Sequence, residues 1–415
     1  MAGRGRVQHG ATRPGPLHGR TQPAWAAVAR DHFVRFDPAR VPSPCYVVDE
    51  VALEDNLKLL QRVQTESGAK VLLALKAFSM FSLAPLVRRY LAGTCASGLF
   101  EARLGREEFG GEVHTFCAAY RDADFDAVVA LSDHVVFNSM HQWQRFRARA
   151  LAAQTTRPGL RFGLRVNPRH SEGATPLYDP CAPGSRLGIP VEDFAGADLS
   201  GISGLHFHTL CEQDLPPLAR TLAAVEEQFA PWLAQMEWVN FGGGHHITRA
   251  DYQVDALIAL IRDFRARHCV AVYLEPGEAV ALDTGVLVTE VLDIKRNDLE
   301  LAILDTSATC HMPDVIEMPY RPRIYGAAAP GELPHSYRLG GQTCLAGDVI
   351  GDYAFAAPLR IGQRLLFADM AHYTMVKTNT FNGIPLPAIA VWNSTTDTLR
   401  LVREFDYRDF RDRLS

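Results

Sequence analysis

Three short segments of the sequence carry residues whose types could form one catalytic site. Lys76 is the only charge in the apolar run VLLALKAFSM, and a lysine desolvated among apolar neighbours has a lowered pKa and can attack a carbonyl carbon. The glycines of VNFGGGHH (Gly242, Gly243 and Gly244) can present backbone amides to a phosphate. Glu275, in LEPGE, could pair with a protonated ring nitrogen. Each feature alone also fits a structural role: an ion-paired lysine, a tight turn or a helix-capping glutamate.

Two histidines of GLHFHT, His206 and His208, lie on one side of a strand-like segment. They could stack on an aromatic cofactor, ligate a metal or fill a protein interior. His245 and His246 follow the glycine run, so a metal site must be considered. Because the sequence has neither an HExxH motif nor a cysteine pair, we expect no metal site.

The elements that must position these residues are apolar, strand-like runs separated by amphipathic helical stretches. Such a series predicts parallel strands covered by helices, and eight units fit a closed (β/α)8 barrel of the TIM type. A doubly wound open sheet is the alternative. Lys76, the three glycines and Glu275 end the first, seventh and eighth runs, which is where a barrel builds its active site. The runs span residues 70–77, 93–98, 113–120, 134–139, 161–168, 204–209, 238–244 and 272–277.

The order of these features on one barrel indicates a pyridoxal 5′-phosphate (PLP) site. PLP requires a lysine amine, a phosphate-binding turn and a carboxylate for its ring nitrogen. The three features are weak separately, but strands one, seven and eight bring them to one mouth. This arrangement favours a working role for Lys76 over a surface ion pair.

After about residue 283 the pattern changes to short β-like runs with Gly, Pro, Asn and Asp between them. This pattern predicts a mostly antiparallel β domain, which the strand at 45–48 could join. We therefore expect a disordered N-terminal tail at 1–24, a PLP-binding barrel at 49–282, and a β domain formed by 25–48 and 283–415.

Composition excludes several classes of function. A net charge of −5 argues against nucleic acid or an anionic membrane as the main partner. No apolar run approaches the roughly 18 residues of a membrane span. The eight cysteines are scattered without CxxC pairs, which is typical of reduced thiols and predicts a cytoplasmic protein.

Taken together, the motifs resemble the fold-type III PLP decarboxylases, the group of ornithine and diaminopimelate decarboxylases. Within that group the chain is most similar to the carboxynorspermidine/carboxyspermidine decarboxylases, from Pro44 to about Trp392. The resemblance implies an alanine racemase-like fold and a homodimer with shared active sites. It also implies PLP-dependent decarboxylation of carboxynorspermidine or carboxyspermidine to norspermidine or spermidine. The motifs are LALKAFS, CASGLFEARLG, GLRVNP, GSRLGIP, GLHFHTLCE, VNFGGGHHIT, LEPGEAV, LDTSATCHMPDVIEMPYRP, GQTCLAGD and ADMAHYTMVKTNTFNG.

The resemblance also implies a role for individual residues. Lys76 would form a Schiff base with PLP, and Glu275 would pair with the ring nitrogen. Cys344, in GQTC, would enter the neighbouring subunit's site and protonate the carbanion. His208 would stack on the pyridine face, and Tyr373 would help the glycines hold the phosphate. The complete set of expected cofactor-binding residues is Lys76, Arg165, His208, Gly242, Gly243, Gly244, Glu275 and Tyr373.

The sequence departs from its relatives at two positions. Enzymes acting on ornithine or diaminopimelate usually read EPGR, where the arginine helps to hold phosphate, but this chain has Glu278. Leu345 follows Cys344 where ornithine enzymes have an aspartate. Asp314 matches the position at which polyamine-type members bind the distal amine. We therefore expect Glu278 and Asp314, together with Asp348, to bind the ammonium groups of a polyamine chain.

Three other functions are compatible with parts of the sequence. A diaminopimelate or other basic amino-acid decarboxylase would need a cation for a distal carboxylate, and Glu278 and Asp314 argue against it. A non-catalytic PLP-binding barrel would not need the second domain. A metal-dependent barrel hydrolase would use His206 and His208.

Overall fold

A computed structural model describes residues 32–173 and 176–415 of the chain. The tail predicted at 1–24 lies outside the described residues. The first strand, β1 (Cys45–Asp49), precedes the barrel and belongs to a separate sheet. The next eight strands close into a parallel barrel in chain order, as the sequence predicts. They are β2 (Lys70–Ala74), β3 (Gly93–Ala96), β4 (Glu112–Phe116), β5 (His134–Phe137), β6 (Arg161–Arg165), β7 (Gly204–His206), β8 (Trp238–Asn240) and β9 (Ala271–Leu274).

Helices cover the outside of the barrel and connect its strands. Gly105–Phe109 continues one of them as a single π-helical segment. Within the described residues, no helix is long and apolar enough to cross a membrane. The α-helices are α1 (Glu50–Ser67), α2 (Ala84–Val87), α3 (Leu99–Leu104), α4 (Phe125–Leu131), α5 (Met140–Thr156), α6 (Leu215–Leu233), α7 (Val254–His268), α8 (Glu278–Ala281), α9 (Ala308–His311), α10 (Asp314–Glu317) and α11 (Tyr407–Arg411). Short 3-10 turns lie at His32–Arg35, Pro38–Arg40, Phe81–Leu83, Pro176–Tyr178, Val191–Phe194 and Phe381–Gly383.

Helix α1 shows how local sequence sets these boundaries. The Asp49 carboxylate accepts a hydrogen bond from the Val51 amide, which caps the first turn. Gly68 ends the helix in the left-handed conformation, with φ of 73°, and donates its amide to the Gln64 carbonyl. The apolar residues of α1 recur at helical spacing, so one face of the helix is buried against the barrel.

The second sheet combines β1 with the C-terminal part of the chain. Strand β10 pairs antiparallel with β1, β11 and β15. The sheet is mostly antiparallel, as the sequence predicts, with two parallel pairs: β1 with β16 and β11 with β13. The segment at 45–48 lies in β1 and pairs with β10 of this sheet. The strands are β10 (Gly285–Asn297), β11 (Leu299–Leu304), β12 (Ala327–Ala328), β13 (His335–Gly340), β14 (Val349–Phe355), β15 (Arg364–Ala368), β16 (Ala388–Asn393) and β17 (Thr398–Arg403).

Alternating residues of each barrel strand point inward and form layers. The indole of Trp238 on β8 fills the lower part of the interior, where Gly163 on β6 and Gly204 on β7 leave room for it. A Cβ atom added at either glycine would overlap this indole. Two residues further along β8 the inward position holds Asn240, at the level of the pocket. The period of two along a strand therefore separates a packing layer from a polar layer above it.

We expect Gly204→Ala to destabilise the fold by about 1–3 kcal/mol, because the added methyl group overpacks the interior against Trp238. The measurement is the free energy of unfolding from urea denaturation. Gly159→Ala is the matched control, since a Cβ atom there meets no other group within 4 Å. Equal stability of the two variants would contradict the packing argument.

Candidate active site

A pocket of about 370 Å³ opens at the carboxyl ends of the barrel strands. The side chains around it come from several strands, so no single loop forms the site. This is the end of a parallel barrel at which enzymes of this architecture build their active sites. The lining residues are Ala74, Lys76, Cys95, Ala96, Ser97, Phe116, Arg165, His206, His208 and Glu275.

Lys76 lies in the turn after β2, two residues beyond the end of the strand at Ala74. The Ala74 amide donates to the Pro276 carbonyl at 3.0 Å, just beyond the pairing of β2 with β9 that closes the barrel. Leu75 and Ala77 are fully buried, whereas the Lys76 side chain is exposed. The prediction of a desolvated lysine on the strand is therefore wrong in this respect. Within the described residues Lys76 makes no hydrogen bond or ion pair, so its amine is free in the pocket.

Glu275 follows β9 directly and forms the anionic end of the pocket. Its Oε1 accepts a hydrogen bond of 2.7 Å from Asn240 Nδ2, and its Oε2 lies 3.2 Å from His206 Nε2. Burial raises the pKa of Glu275, but His206 and Asn240 outweigh burial and hold that pKa at about 2. The carboxylate is therefore ionised at neutral pH, as a partner for a protonated ring nitrogen must be.

His208 lies two residues beyond β7, and its ring orientation is fixed by the backbone. Its Nδ1 accepts a hydrogen bond of 2.9 Å from the Gly243 amide. Burial lowers the pKa of His208 well below its ordinary value, so the ring is neutral and carries its proton on Nε2. The Arg165 guanidinium donates to the His208 carbonyl at 3.0 Å and lies 4.6 Å from the Phe116 ring centre. Burial lowers the pKa of Arg165 to about 10, which leaves it charged at neutral pH.

The glycine turn that follows β8 is packed too closely for any other residue. A Cβ atom on Gly243 would overlap the Glu275 carbonyl oxygen, and one on Gly244, which has a φ of +83°, would overlap the Leu210 carbonyl oxygen. The expectation of three free amides is not met. Gly242 donates to Asn240 Oδ1 at 2.8 Å and Gly243 donates to His208, so Gly244 keeps the unpaired amide of the run in the described structure.

Tyr373 reaches the barrel from the second sheet. It follows β15 and adopts a φ of 44°, which is unusual for a residue with a side chain. Its amide donates a hydrogen bond of 2.7 Å to the carbonyl of Ala77, the residue that follows Lys76. Its hydroxyl makes no hydrogen bond among the described residues. The second sheet therefore holds the turn that carries the lysine, with a phenol beside it.

Glu278 lies in the first turn of α8 but is not the free anion that the sequence predicts. Its Oε2 is 3.2 Å from His246 Nε2 and its Oε1 is 3.9 Å from His372 Nε2. Burial raises the pKa of Glu278, but the two histidines outweigh it and bring the value to about 2. The carboxylate is thus ionised and already has cationic neighbours.

Asp314 also has partners within the chain. Its Oδ1 is 2.5 Å from Lys377 Nζ, and the same oxygen accepts a hydrogen bond of 3.3 Å from the Tyr178 hydroxyl. Lys377 is shared with Glu317 at 2.7 Å. A substrate ammonium that binds Asp314 must therefore compete with Lys377.

Cys344 and Asp348 lie on the connection between β13 and β14, outside the pocket that Lys76 lines. Cys344 is exposed, and its amide donates to Asn382 Oδ1 at 2.9 Å. Asp348 is buried, and its carboxylate accepts hydrogen bonds from Ser307, Thr309 and Thr343. The predicted substrate role of Asp348 is therefore not supported, because protein donors occupy its oxygens and make it the anchor of the Cys344 loop.

Comparisons with known proteins agree with this geometry. Residues 45–371 match the family described as pyridoxal-dependent decarboxylase, C-terminal sheet domain. The chain belongs to the pyridoxal-dependent decarboxylases. It is 46% identical over 376 residues to a carboxyaminopropylagmatine decarboxylase of Synechocystis sp., covering 90% of this chain and 96% of the relative. It is 44% identical to a carboxynorspermidine/carboxyspermidine decarboxylase of Campylobacter jejuni, covering 89% and 98%.

The fold of the decarboxylase has a close counterpart among solved structures. The carboxynorspermidine decarboxylase of Campylobacter jejuni, complexed with norspermidine, superposes with a TM-score of 0.82 at 42% identity. The match covers 90% of this chain and all of that one. These comparisons confirm the resemblance inferred from the motifs, the barrel-plus-sheet fold and the dependence on PLP.

Several residues with no predicted role hold the predicted site residues in place. Asn240 hydrogen-bonds to both Glu275 and Gly242, so it couples the Glu275 carboxylate to the glycine turn. The position of Asn240 could have been predicted from the sequence, because it is two residues after Trp238 and its side chain therefore points into the same barrel interior. No sequence pattern indicates the roles of Lys377 and His372, because only folding places them next to Asp314 and Glu278.

A group with metal-ligand side chains lies at the opposite end of the decarboxylase barrel. Glu112, His114 and His134 have potential ligand atoms within 4.8 Å of one another. The two imidazole rings stack with centres 3.8 Å apart and planes 13° apart. Nearly parallel rings cannot both aim an in-plane lone pair at one ion, and Lys70 already pairs with Glu112. We therefore interpret these three residues as part of the packed interior of the barrel.

We expect Asn240→Ala to destabilise the cofactor-free decarboxylase by about 1–3 kcal/mol, because it leaves the Gly242 amide and a Glu275 oxygen without their partner. Chemical denaturation measures the change. Asn297→Ala, at an exposed position without a side-chain hydrogen bond, is the control. If both variants keep wild-type stability, Asn240 does not couple these elements.

Proposed function

We propose that the decarboxylase removes CO₂ from a carboxylated polyamine, carboxynorspermidine and/or carboxyspermidine, to yield norspermidine or spermidine. The observation that carries the proposal is the similarity, over about nine-tenths of the chain, to a Campylobacter jejuni enzyme of that specificity whose structure holds norspermidine. Carboxylates near the pocket support a cationic substrate. Besides burial, Glu275 raises the pKa of Cys95, and Glu278 and Asp314 raise the pKa of Cys211 and of Tyr373, so all three carboxylates lie near the proposed cofactor site.

The residues of the pocket fit PLP. Glu275 is ionised beneath the pocket, Lys76 offers a free amine, and the close-packed glycine turn leaves the Gly244 amide unpaired. PLP supplies an electron sink for the pair that remains on the substrate carbon when CO₂ leaves. Lys76 would hold the aldehyde carbon of PLP. Glu275 would keep the ring nitrogen protonated, and His208, oriented by Gly243, would pack against the ring face.

The phosphate would lie at the glycine turn, against the Gly244 amide and the Tyr373 hydroxyl. Arg165 fixes the backbone of His208 and contributes positive charge beneath the pocket. Phe116 stacks on that guanidinium, so the arginine is rigid and poorly hydrated. These residues orient the cofactor, whereas Lys76 and Glu275 act on its reactive atoms.

The proton that replaces CO₂ would come from Cys344 of the partner subunit in a homodimer. In a single chain Cys344 is exposed and does not line the pocket of Lys76. Large apolar side chains are exposed beside it, at Leu345 and Phe381, as expected of a surface that a second subunit covers. We also propose that Asp314 binds the distal ammonium of the substrate after exchange with Lys377.

We infer the domain boundaries and location on similar grounds. The barrel would span 49–282, with 25–48 and 283–415 forming the second domain, since β1 crosses to the C-terminal sheet. All eight cysteines are free thiols, which supports a reducing cytoplasmic compartment.

Carboxyaminopropylagmatine is a second candidate substrate. The Synechocystis relative named for this activity is 46% identical to the chain, as similar as the carboxynorspermidine enzyme. A guanidinium end would suit the paired carboxylates Asp314 and Glu317, which Lys377 now bridges. The two candidates share the reacting end of the substrate and differ at the distal end.

Product analysis distinguishes these substrates. We expect CO₂ release and the matching polyamine from carboxynorspermidine or carboxyspermidine, and no release from meso-diaminopimelate, whose distal carboxylate would meet Asp314. The measurement is mass spectrometry of products after equal incubation with each compound, including carboxyaminopropylagmatine. Turnover of diaminopimelate alone would overturn the proposal, and turnover of carboxyaminopropylagmatine alone would establish the second candidate.

Mixing two inactive variants tests the shared site. Lys76→Ala and Cys344→Ala should each lose at least about 99% of the wild-type rate, as removal of a principal catalytic group does. A refolded equimolar mixture should recover about a quarter of that rate. Random pairing makes half of the dimers mixed, and each mixed dimer has one intact site of two. Each variant mixed with wild type is the control. A mixture that stays inactive would contradict donation of Cys344 across a dimer.

A further inference from the structure

Two buried histidines flank the proposed phosphate site, and the reaction described above uses neither. His246 comes two residues after Gly244, and His372 directly precedes Tyr373. They are 1% and 9% exposed. Both contact one carboxylate, Glu278, at 3.2 and 3.9 Å. The turn after β8, the segment after β15 and the start of α8 therefore converge on one cluster.

The Nδ1 atom of each ring has no hydrogen-bond partner among the described residues. His246 Nε2 faces Glu278, and His372 Nε2 lies 3.0 Å from Asp369 Oδ1. Both Nδ1 atoms are buried. Buried polar groups are satisfied in native structures with few exceptions. Two such atoms in one cluster indicate a ligand that accepts hydrogen bonds.

The neighbouring carboxylates favour the protonated form of both rings. Burial lowers the pKa of His246, but Glu278 outweighs it and raises that pKa overall. For His372, Asp369 and Glu278 outweigh burial and raise the pKa to about 10. Burial and Glu278 raise the pKa of Glu212, which also faces the cluster, to about 7. The other titratable groups that interact with the cluster are His245, Asp251, Cys211, Tyr320 and Tyr373. A protonated imidazole donates from both nitrogens, so each Nδ1–H needs an anionic or neutral acceptor.

The neighbouring groups specify which acceptor. The Gly244 amide is unpaired, and so is the Tyr373 hydroxyl, within the described residues. Two cationic imidazoles, a backbone amide and a phenol together form a donor set suited to a phosphate dianion. We propose that His246 and His372 bind the phosphate of PLP, and that Glu278 is a positioning residue that holds His246 in its charged, oriented form. The inference rests on the phosphate position proposed above, at Gly244 and Tyr373.

Cofactor binding tests this role without any substrate. His246→Gln and His372→Gln, as full-length cofactor-free proteins, should bind PLP at least about tenfold more weakly, the effect of losing one charge-assisted hydrogen bond. Their affinity for pyridoxal, which lacks the phosphate, should change less than about twofold. Fluorescence titration measures both affinities, and inorganic phosphate should compete with PLP in wild type. His141→Gln, at an exposed position on α5, is the control.

Unchanged PLP affinity, or equal losses for PLP and pyridoxal, would overturn the proposal. Because no substrate is present, this result does not depend on which compound the enzyme decarboxylates. Failure of the proposed substrate would appear only in the product analysis.

Glu278→Gln tests the positioning role through pH. Without this carboxylate the pKa of His246 should fall, so the ring should lose its proton as the pH rises through neutrality. PLP affinity should then be about tenfold weaker than wild type near pH 8 and recover toward wild type near pH 6, while pyridoxal affinity shows no such difference. The ³¹P NMR shift of bound PLP, followed over the same range, reports the phosphate environment directly. A pH-independent loss, or none, would contradict the assignment of Glu278.

Discussion

The site depends on keeping one carboxylate ionised inside a protein barrel. Burial alone would protonate Glu275, and a neutral acid could not hold a proton on a neighbouring ring nitrogen. The chain counters this with Asn240 on the adjacent strand β8 and His206 on β7, both at inward positions. Asn240 Oδ1 also accepts a hydrogen bond from the Gly242 amide. The residue that helps to keep Glu275 ionised therefore also fixes the start of the glycine turn. Electrostatics and backbone geometry are thus set by one amide side chain.

A second constraint concerns the lysine proposed to bond PLP, whose side chain must move while its backbone does not. Lys76 is exposed and unpaired among the described residues, which leaves its amine able to bond and release. Its turn is held on both sides, by the Ala74–Pro276 hydrogen bond at the barrel closure and by the Tyr373–Ala77 hydrogen bond from the second sheet. The left-handed backbone of Tyr373 is the conformational cost of reaching that carbonyl. The second domain is therefore part of the active site even before a partner subunit is considered.

Most of the architecture could be predicted from the sequence because period and composition report on strands directly. Each of the eight barrel strands overlaps a predicted run, but β4 and β9 begin one residue before theirs. Strands β2, β7 and β8 end before Lys76, His208 and Gly242. Those runs remain apolar past the end of hydrogen bonding, so hydrophobicity alone could not locate the strand ends. The parallel pairing of β1 with β16 was likewise beyond reach, since strands more than 330 residues apart share no local signal.

Charges proved harder to interpret than strands, for a physical reason. The sequence shows that Glu278, Asp314 and Asp348 are acidic, but not which groups neutralise them. In the folded chain Glu278 pairs with His246, and Asp314 pairs with Lys377. Asp348 accepts hydrogen bonds from hydroxyl and amide donors. The polyamine proposed as the substrate would therefore not enter a pocket of bare anions. Asp314 would bind it only by exchanging one ammonium, that of Lys377, for another. Because one ammonium replaces another, the Asp314 carboxylate stays paired throughout. The gain in binding free energy would therefore depend on how well the length of the substrate matches the distance from Lys76 to Asp314. Chain length, more than total charge, would then decide which polyamine is accepted.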